Sequence, residues 1–355
     1  MGEADDQGWF GSEQLVLCRD EEVGLHAVIA IDDTTLGPGL GGVRYLAYPN
    51  ERSAVVEAQR LAAAMTLKNA SAGLPYGGAK SVILASSASA DRVALMRRFG
   101  DFVLRTGGAY LPGVDMGTTT DDLAIAGQSG AEVSCSTEDP SPWTALGVAA
   151  GIRAAVAHVD ERESLDGVRV LIQGAGHVGA ALAHELAGDG AQIVIADVNA
   201  ERAATVAYEV GGCTVAPSEV LSTRCDVLAP CAVARVVSPV TVDQLSCRII
   251  VPAANDTLSD ELEADLLAQR GITYVPDFIA NAGGVIHINA LRAMHDEPRL
   301  RADIAQIGGR VRDLLDEAEA SGETPLTVAV SRAHRMLALA REVRESHQTR
   351  EVLHT

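Results

Sequence analysis

The sequence predicts an α/β protein of two domains, the second built on a doubly wound parallel sheet. In the second half, short apolar runs alternate with helical segments, and this spacing is typical of βαβ units around a parallel sheet. The runs lie at 168–173, 192–197, 226–231, 248–253 and 272–277. The first half mixes the two kinds of element, with strands predicted at 12–20, 25–32 and 81–84 and helices at 51–70, 91–106 and from about 120. A chain of 355 residues is long enough for two ordinary cores.

Composition excludes several classes of function. The formal net charge is −20, and such a surface repels phosphate backbones and anionic lipid, so neither a nucleic-acid nor a membrane partner is expected. No run of about 18 apolar residues is present, and the acidic first residues lack the apolar core of a secretory signal. Six cysteines show no CxxC spacing: Cys18, Cys135, Cys213, Cys225, Cys231 and Cys247. They are interpreted as reduced thiols of a cytoplasmic protein, with no metal site and no disulfide framework.

A glycine-rich turn follows the first strand of the second domain. The strand at 168–173 runs into a GxGxxG motif that opens a helix, Gly174-Ala175-Gly176-His177-Val178-Gly179. In that context the glycines permit a tight turn, close approach to a pyrophosphate and close packing of helix on strand. The next strand ends in Asp197, which favours the ribose hydroxyls of NAD over the 2′-phosphate of NADP, although Arg202 leaves NADP open. The alternative is a glycine turn without a ligand, and His177 is given no chemical role.

Lysine is used only twice. Of 28 basic residues all but Lys68 and Lys80 are arginine, and these two are the only charged residues in 61–90. Two ammonium groups in an apolar, glycine-rich setting repel each other, so we expect one to hold an anion and the other to act as a base near neutrality. The alternative is a pair of surface lysines. Asp115, in an otherwise uncharged loop at 112–120, is the candidate carboxylate partner, and its alternative is a plain loop acid.

Several stretches of the chain resemble one family. They are GPGLGGVRY (37–45), AAAMTLKNASAGLPYGGAK (62–80), GVDMGTTTDDL (113–123), PSPWTALGV (140–148), GAGHVG (174–179), LAPCA (228–232), VPAAND (251–256) and PDFIANAGGVIHI (276–288). In this order they are similar to the glutamate, leucine, phenylalanine and valine dehydrogenases, and 113–119 and 277–284 resemble the phenylalanine enzymes more than the leucine ones. Ala79, Trp143 and Leu67 depart from the family pattern and affect the fit of the substrate more than the reaction.

The resemblance implies a role for each matched residue. Lys68 would bind the substrate carboxylate, Lys80 would be the catalytic base, and Asp115 would share its proton transfer. Gly41 would approach the substrate, Asn281 would hold substrate and nicotinamide, and Leu40, Gly113 and Val311 would line an apolar side-chain pocket. The cofactor residues would be Gly174, Gly176, His177, Val178, Gly179, Asp197, Thr144, Ala253, Asn255 and Asn281.

The expected function is the NAD-dependent oxidative deamination of an apolar L-amino acid to a 2-oxo acid and ammonia, and the reverse reductive amination. The resemblance also implies a homo-oligomer that assembles through its N-terminal domain, with the reaction in a cleft between the domains. The substrate-binding domain would comprise residues 1–140 plus about 326–355, and the NAD-binding Rossmann domain 141–325. Two alternatives remain, a non-catalytic NAD-binding regulatory protein and a dehydrogenase acting on a different substrate such as a hydroxy acid.

Overall fold

The computed structural model describes residues 11–85, 91–134, 139–232 and 234–353, with side chains as far as 346. The described residues form two compact units, one containing the chain up to 139 together with residues from 333 onward, the other containing 140–332. Cys135 and residues 136–138 of the predicted linker at 134–142 lie outside the described residues. Cys18, Cys213, Cys225, Cys231 and Cys247 are free thiols.

The first unit is organised around a mixed five-stranded sheet. Its strands are β1 (Gln14–Asp20), β2 (Leu25–Asp33), β3 (Gly39–Leu46), β4 (Gly77–Leu84) and β5 (Tyr110–Val114), in the order β1-β2-β4-β3-β5. Strand β2 pairs antiparallel with β1 and β4, whereas β3 pairs parallel with β4 and β5. Helix α1 (Glu51–Ser71) covers one face, and α2 (Arg92–Leu104) and α3 (Thr120–Gly127) cover the other.

In strand β2, apolar residues occupy consecutive positions and do not alternate with polar ones. Val28 and Ala30 pack under α1, whereas Ile29 and Ile31 belong to the cluster that contains Phe99 of α2. Successive side chains of a strand point to opposite faces. Because both faces of this sheet are covered, every position of β2 from Ala27 to Ile31 is buried.

Two strands of this sheet are not among those expected from the sequence. The glycine-rich stretch at 37–42 lies largely in β3, and the first part of the loop expected at 112–120 lies in β5. Glycine is normally depleted in strands. Here it is required because a Cβ on Gly41 would lie 1.6 Å from the Ala79 carbonyl oxygen. Close approach of neighbouring backbone therefore decides the residue type at this position.

The second unit contains a six-stranded, entirely parallel sheet. Its strands run in the order β11-β10-β9-β6-β7-β8, and the direction of winding reverses between β6 and β9. They are β6 (Arg169–Gln173), β7 (Gln192–Ala196), β8 (Cys213–Thr214), β9 (Val227–Pro230), β10 (Ile249–Ile250) and β11 (Thr273–Tyr274). This is the doubly wound order of a Rossmann sheet, which places ligands at the reversal point. The predicted fold class is confirmed.

The helices of the second unit flank that sheet. They are α4 (Ser141–Asp160), α5 (His177–Gly188), α6 (Ala200–Glu209), α7 (Glu263–Gln269), α8 (Asp277–Ala280), α9 (Gly283–Arg292) and α10 (Glu297–Ser321). The last helix, α11 (Pro325–Leu353), begins in this unit, and from Ala333 it belongs to the first unit, where Ala333 and Leu337 pack on Ala70 of α1. Within the described ranges, no helix has the length and apolarity needed to cross a bilayer.

Candidate active site

The first unit brings Lys80 and Asp115 together. Lys80 lies in β4, and Asp115 follows the last residue of β5, two strands away across β3. The Lys80 Nζ lies 2.5 Å from Asp115 Oδ2, and the two side chains are only 8% and 17% exposed. A charge pair this enclosed is screened far less by solvent than a surface pair. The expected carboxylate neighbour of Lys80 is thus present, although the two residues are 35 positions apart in the chain.

A second cation contacts the same carboxylate oxygen. Arg44 of β3 donates from Nε to Asp115 Oδ2 at 3.2 Å. Burial alone would raise the pKa of Asp115, but the charges of Lys80 and then Arg44, with a hydrogen bond from Lys80, lower the pKa to about 2. Asp115 is therefore an anion throughout the physiological pH range.

The loop that carries Asp115 is fixed from two sides. The Asp115 backbone N–H donates to the Thr118 hydroxyl at 3.0 Å, and that hydroxyl in turn donates to the Val43 carbonyl at 2.7 Å. Gly117 has a φ of +80°, and its carbonyl accepts a hydrogen bond from Arg92 Nη2 at 2.6 Å. The left-handed backbone at Gly117 lets the loop return to α3 while the carboxylate stays beside β4.

Lys68 lies near the C-terminal end of α1, the helix that packs on β4, and is 8% exposed. The small residues before Lys80 make this packing close. A Cβ on Gly78 would lie 2.2 Å from the Thr66 nitrogen of α1, and one on Gly77 would lie 1.7 Å from the Asp33 carbonyl oxygen. These glycines therefore leave room for neighbouring backbone, and α1 packs closely on β4, the strand that contains Lys80.

Asn69, beside Lys68, ties α1 to the strands. Its Nδ2 donates to the Gly77 carbonyl at 2.6 Å and, at 3.5 Å, to the carbonyl of Leu40. Leu40 is 1% exposed. Fully buried amides of this kind fix the relative position of the elements they join, because leaving them unpaired costs about 1–3 kcal/mol.

The expected pocket residues Gly41 and Gly113 lie in neighbouring strands. The Gly41 carbonyl accepts a hydrogen bond from the Tyr110 hydroxyl at 3.1 Å. Gly113 faces Ser134, whose hydroxyl would lie 2.8 Å from a Cβ at position 113. The space that a side chain at 113 would fill is thus taken by a buried serine hydroxyl, which itself donates to the Pro112 carbonyl at 3.0 Å.

In the second unit, the GxGxxG turn joins β6 to α5 as expected. Gly174 has a φ of +107°, and a Cβ on Gly179 would lie 1.9 Å from the Gly174 carbonyl oxygen. A Cβ on Gly176 would meet nothing within 4 Å, and Gly176 provides no side-chain cap for α5. His177 is exposed and Val178 is partly buried. The backbone N–H groups at the start of α5 thus border open space, as an anion-binding helix terminus requires.

Asp197, at the end of β7, reaches back to this turn. Its Oδ2 accepts the Ala175 backbone N–H at 2.7 Å, and its Oδ1 accepts from Arg202 Nη2 at 2.8 Å. Burial opposes ionisation, but the hydrogen bonds from Ala175 and Arg202 hold the pKa of Asp197 below its usual value. The carboxylate is thus an anion that holds the glycine turn through the Ala175 N–H.

Asn281, like Asn69 and Gln173, is one of several described residues with a buried side-chain atom that has no hydrogen-bond partner. Its Nδ2 donates to the Ala253 carbonyl at 3.0 Å and to Asn255 Oδ1 at 2.9 Å, which fixes the orientation of the amide. Its Oδ1 is buried and has no hydrogen-bond partner. A buried acceptor is normally satisfied, so this oxygen fits a donor such as a carboxamide or amine of a bound molecule. A nicotinamide dinucleotide therefore fits the open Gly176 turn and the Asn281 oxygen.

Thr144 and Val311 were also expected to act in this unit, and both make contacts within it. Thr144, in the first turn of α4, donates from its hydroxyl to the Pro140 carbonyl at 3.2 Å, and a Cβ on Gly284 would lie 3.0 Å from that hydroxyl oxygen. Val311 is fully buried in α10, against Gly151 of α4. Its burial supports a packing role, and its place in a substrate pocket stays a prediction.

Trp143, one of the departures from the family pattern, is not among the residues expected to act. Its ring stacks on His287 with centroids 5.4 Å apart, and the Arg301 guanidinium lies 5.4 Å from the centroid of the ring. The tryptophan borders a surface groove of about 680 Å³ between α4, α5 and α10.

Four further residues of the first unit were not singled out by the sequence. Arg44 contacts Asp115, Asn69 joins Lys68 to the strands, Ser134 fills the space at Gly113, and a Cβ on Gly42 would lie 3.2 Å from Lys80 Nζ. Gly42, Arg44 and Asn69 stand inside the stretches that carry the family resemblance. For Ser134 the sequence contains no signal, because its contact with Gly113 arises only from the fold.

A doubly wound parallel sheet with a glycine turn, in a chain with a buried lysine–carboxylate pair, defines a nucleotide-binding α/β enzyme of two domains. Comparisons with known proteins agree with this class. The family description "Glu/Leu/Phe/Val dehydrogenase, dimerisation domain" matches residues 13–129, and "Glutamate/Leucine/Phenylalanine/Valine dehydrogenase" matches residues 194–318.

Individual relatives span nearly the whole chain. A leucine dehydrogenase of Thermoactinomyces intermedius is 35% identical over 95% of this chain and 94% of its own. A phenylalanine dehydrogenase of Bacillus thermotolerans is 35% identical over 89% of this chain and 86% of its own. The crystal structure of L-tryptophan dehydrogenase from Nostoc punctiforme superposes with a TM-score of 0.82 at 35% identity, covering 94% of this chain and 97% of that one.

The chain belongs to the Glu/Leu/Phe/Val dehydrogenase family, so the expected family and the expected class, an oxidoreductase acting on amino acids, are confirmed. Leucine, phenylalanine and tryptophan enzymes match at nearly equal identity. Identity alone therefore does not select a substrate among them.

Proposed function

We propose that this chain catalyses the oxidative deamination of an apolar L-amino acid to the 2-oxo acid and ammonia, with NAD as the cofactor, and the reverse reaction. The observation that carries the proposal is the buried pair of Lys80 and Asp115, joined at 2.5 Å. A structural ion pair needs no lysine in particular, whereas a base that loses its proton does, and the chain otherwise uses arginine.

The residues of the first unit would bind the substrate and activate the attacking water. Lys68, as a cation, would hold the substrate carboxylate beside Gly41. A bound nicotinamide supplies the two-electron oxidation at the substrate Cα. Lys80 in its neutral form would remove a proton from the water that attacks the oxidised carbon. Asp115, which is ionised between transfers, would carry each proton only transiently and return it until ammonia leaves. Water and the oxidised cofactor would be consumed, and the products would be the 2-oxo acid, ammonium, the reduced cofactor and one proton.

Several features support a nicotinamide dinucleotide as the partner of the second unit. The N-terminus of α5 would hold the pyrophosphate at Gly174, Gly176 and Gly179, with His177 and Val178 contributing backbone N–H groups. Asn281 would use its unpaired oxygen, with Ala253, Asn255 and Thr144 alongside. Asp197 supports NAD over NADP, because an anion beside the turn repels a 2′-phosphate.

An apolar substrate is supported by the limited supply of cations. An acidic substrate needs a further positive charge for its second carboxylate. Both lysines of the chain are assigned to the reaction, and the arginine found at this site, Arg44, is already paired with Asp115 and Glu57. The Leu40 carbonyl accepts from Asn69, the neighbour of Lys68. A substrate with an aromatic or branched side chain, in a pocket that includes Leu40 and Gly113, follows from this.

A homo-oligomer is part of the proposal. Residues 13–129 match the dimerisation domain of the family, which supports self-association through the first unit. Light scattering on the purified chain tests the oligomeric state, and a monomer at micromolar concentration would contradict it. A cytoplasmic location stays a prediction.

The decisive experiment assays the purified chain against a panel of L-amino acids with NAD and with NADP, and the reverse reaction with and without ammonium. The expected result is ammonia-dependent turnover of apolar substrates. Lys80→Ala should bind NAD as the wild type does and lose at least ~10²-fold in turnover. Asp121→Asn, an exposed acid in the first turn of α3, is the matched control for Asp115→Asn. A hydroxy acid substrate, or no turnover at all, would refute the proposal.

A further inference from the structure

One carboxylate oxygen serves two cations at the centre of the first unit. Asp115 Oδ2 lies 2.5 Å from Lys80 Nζ and 3.2 Å from Arg44 Nε. The Arg44 side chain is 12% exposed. A partly buried carboxylate with one cation would already be paired, so the second cation needs a separate explanation.

The proposed function provides that explanation. A base must lose its proton, and in that state Lys80 no longer carries the charge that compensates Asp115. A carboxylate left without a counter-charge in an enclosed site is destabilised, and the lysine would then retain its proton. An arginine stays protonated at all physiological pH values, so Arg44 compensates Asp115 whether or not Lys80 is charged.

We propose that Arg44 is a positioning residue that keeps Asp115 ionised and in place while Lys80 is neutral. This inference rests on the proposed function. It assigns Arg44 no contact with substrate or cofactor; Arg44 acts through Asp115.

Arg44 is itself held by an acidic residue. Its Nη1 donates to Glu57 Oε1 of α1 at 2.8 Å, and Glu57 Oε2 accepts from Arg60 Nη2 at 2.9 Å. The guanidinium thus bridges two carboxylates through different nitrogens, which fixes its plane. Glu57 also reduces the positive potential that Arg44 exerts on the Lys80–Asp115 pair.

Among the described residues, the charged and titratable groups that interact with Asp115, or with the cations beside it, lie on neighbouring elements of the first unit. They are Lys80 of β4, Arg44 of β3, Glu57 and Arg60 of α1, Tyr48 in the β3–α1 connection, and Tyr110 of β5. Lys68 also lies on α1, which packs on β4. Burial raises the pKa of Tyr48 and of Tyr110 above the ordinary value. Both phenols are neutral in the working range, so the balance is set by the two carboxylates and the three cations.

The charge balance predicts opposite effects for two substitutions. In Arg44→Gln, loss of the lysine proton leaves an uncompensated anion, so the acid limb of log kcat/KM for amino-acid oxidation should move to higher pH by about one unit, a tenfold loss at a fixed pH on that limb. In Glu57→Gln the Arg44 charge is less neutralised, so the limb should move to lower pH. Arg44→Lys keeps a cation at position 44, so its acid limb should lie close to that of the wild type.

A purely structural role would not produce shifts of opposite sign. Arg98→Gln, which removes an ion pair with Asp20 and Asp101 elsewhere in the same unit, serves as a control and should leave the limb in place. The inference fails if Arg44→Gln lowers turnover without moving the limb, or if Glu57→Gln moves it in the same direction. If Arg44→Gln does not fold, Glu57→Gln and Arg44→Lys still decide, because an unmoved limb in Glu57→Gln overturns the inference.

The experiment separates this inference from the function on which it rests. A wild-type chain that turns over no amino acid refutes the proposed function. A wild-type chain that is active, with an unmoved limb in Arg44→Gln, refutes the role of Arg44 alone.

Discussion

Gly42 lies directly against Asp115. A Cβ built on Gly42 would come within 2.6 Å of the Asp115 Cβ and 3.2 Å of Lys80 Nζ. The first of these distances is too short for two carbon atoms that are not bonded to each other, so either the loop of Asp115 or strand β3 would have to shift. The pair at 2.5 Å therefore exists only because residue 42 has no side chain.

Gly42→Ala is expected to lower kcat by at least ~10-fold, because displacement of a catalytic group by as little as 1 Å costs on the order of 10²-fold in rate. Steady-state assays together with a thermal unfolding scan make the measurement. Gly309→Ala, at a position where a Cβ meets nothing within 4 Å, is the control and should keep wild-type turnover. Wild-type kcat in Gly42→Ala would show that the close contact does not matter.

The pKa of Asp115 gives a pH dependence of stability. The folded value of about 2 lies below the ordinary 3.8, so ionised Asp115 contributes stability that is present above pH 3.8 and lost as the pH falls through 2. The shift corresponds to roughly 2 kcal/mol. The stability difference between wild type and Asp115→Asn in urea should therefore be largest near neutrality and fall by about half near pH 3. A difference that does not change with pH would contradict the assignment.

The sequence predicts the second unit better than the first. Apolar runs between helices mark a parallel sheet, and the glycine motif identifies its first turn, so β6, β7, β9, β10 and β11 were all predicted. In the first unit, β3 and β5 were missed because Gly39, Gly41 and Gly113 carry no strand signal. Their residue types are set by neighbours such as Ala79 and Ser134, and these contacts exist only after folding.

The candidate site shows the same division. Lys68, Lys80 and Asp115 are unusual for their surroundings in the sequence, so chemistry alone singles them out. Arg44 is one of 26 arginines, and its charge is not unusual anywhere in the chain. Only the geometry that brings its Nε to Asp115 Oδ2 distinguishes it from the rest.

Substitution of the two adjacent glycines of α10 by alanine should change the free energy of unfolding by different amounts. A Cβ on Gly308 would lie 3.2 Å from the Ala150 carbonyl oxygen of α4, whereas a Cβ on Gly309 meets nothing. Alanine favours a helix over glycine by about 1 kcal/mol. Gly309→Ala should therefore raise the free energy of unfolding by about 0.5–1 kcal/mol, and Gly308→Ala should gain less or be destabilising. Equal gains in urea unfolding would show that α4 and α10 can separate at no cost.

Asp197 should control the choice between NAD and NADP. Its carboxylate accepts from Ala175 N–H and pairs with Arg202. Asp197→Ser removes the anion that repels a 2′-phosphate and releases Arg202, so the ratio of kcat/KM for NADP to that for NAD should rise by at least ~10-fold. In the double variant that also carries Arg202→Ala, most of the gain should disappear. An unchanged ratio in Asp197→Ser would place the ribose elsewhere.

Gly113 offers a test of the side-chain pocket. A methyl group at 113 would lie 2.8 Å from the Ser134 hydroxyl, so Gly113→Ala must either push Ser134 away or reduce the adjacent space. If that space receives the substrate side chain, kcat/KM for tryptophan and phenylalanine should fall relative to valine by roughly 10–200-fold, the range for one methylene in an apolar pocket. Adding Ser134→Gly removes the hydroxyl that the methyl group meets, and should return part of the aromatic activity. The ratio of aromatic to valine activity makes the measurement, because it cancels any general loss of active enzyme. If this ratio stays at the wild-type value in Gly113→Ala, residue 113 does not border the substrate, and the apolar pocket must be sought at other residues.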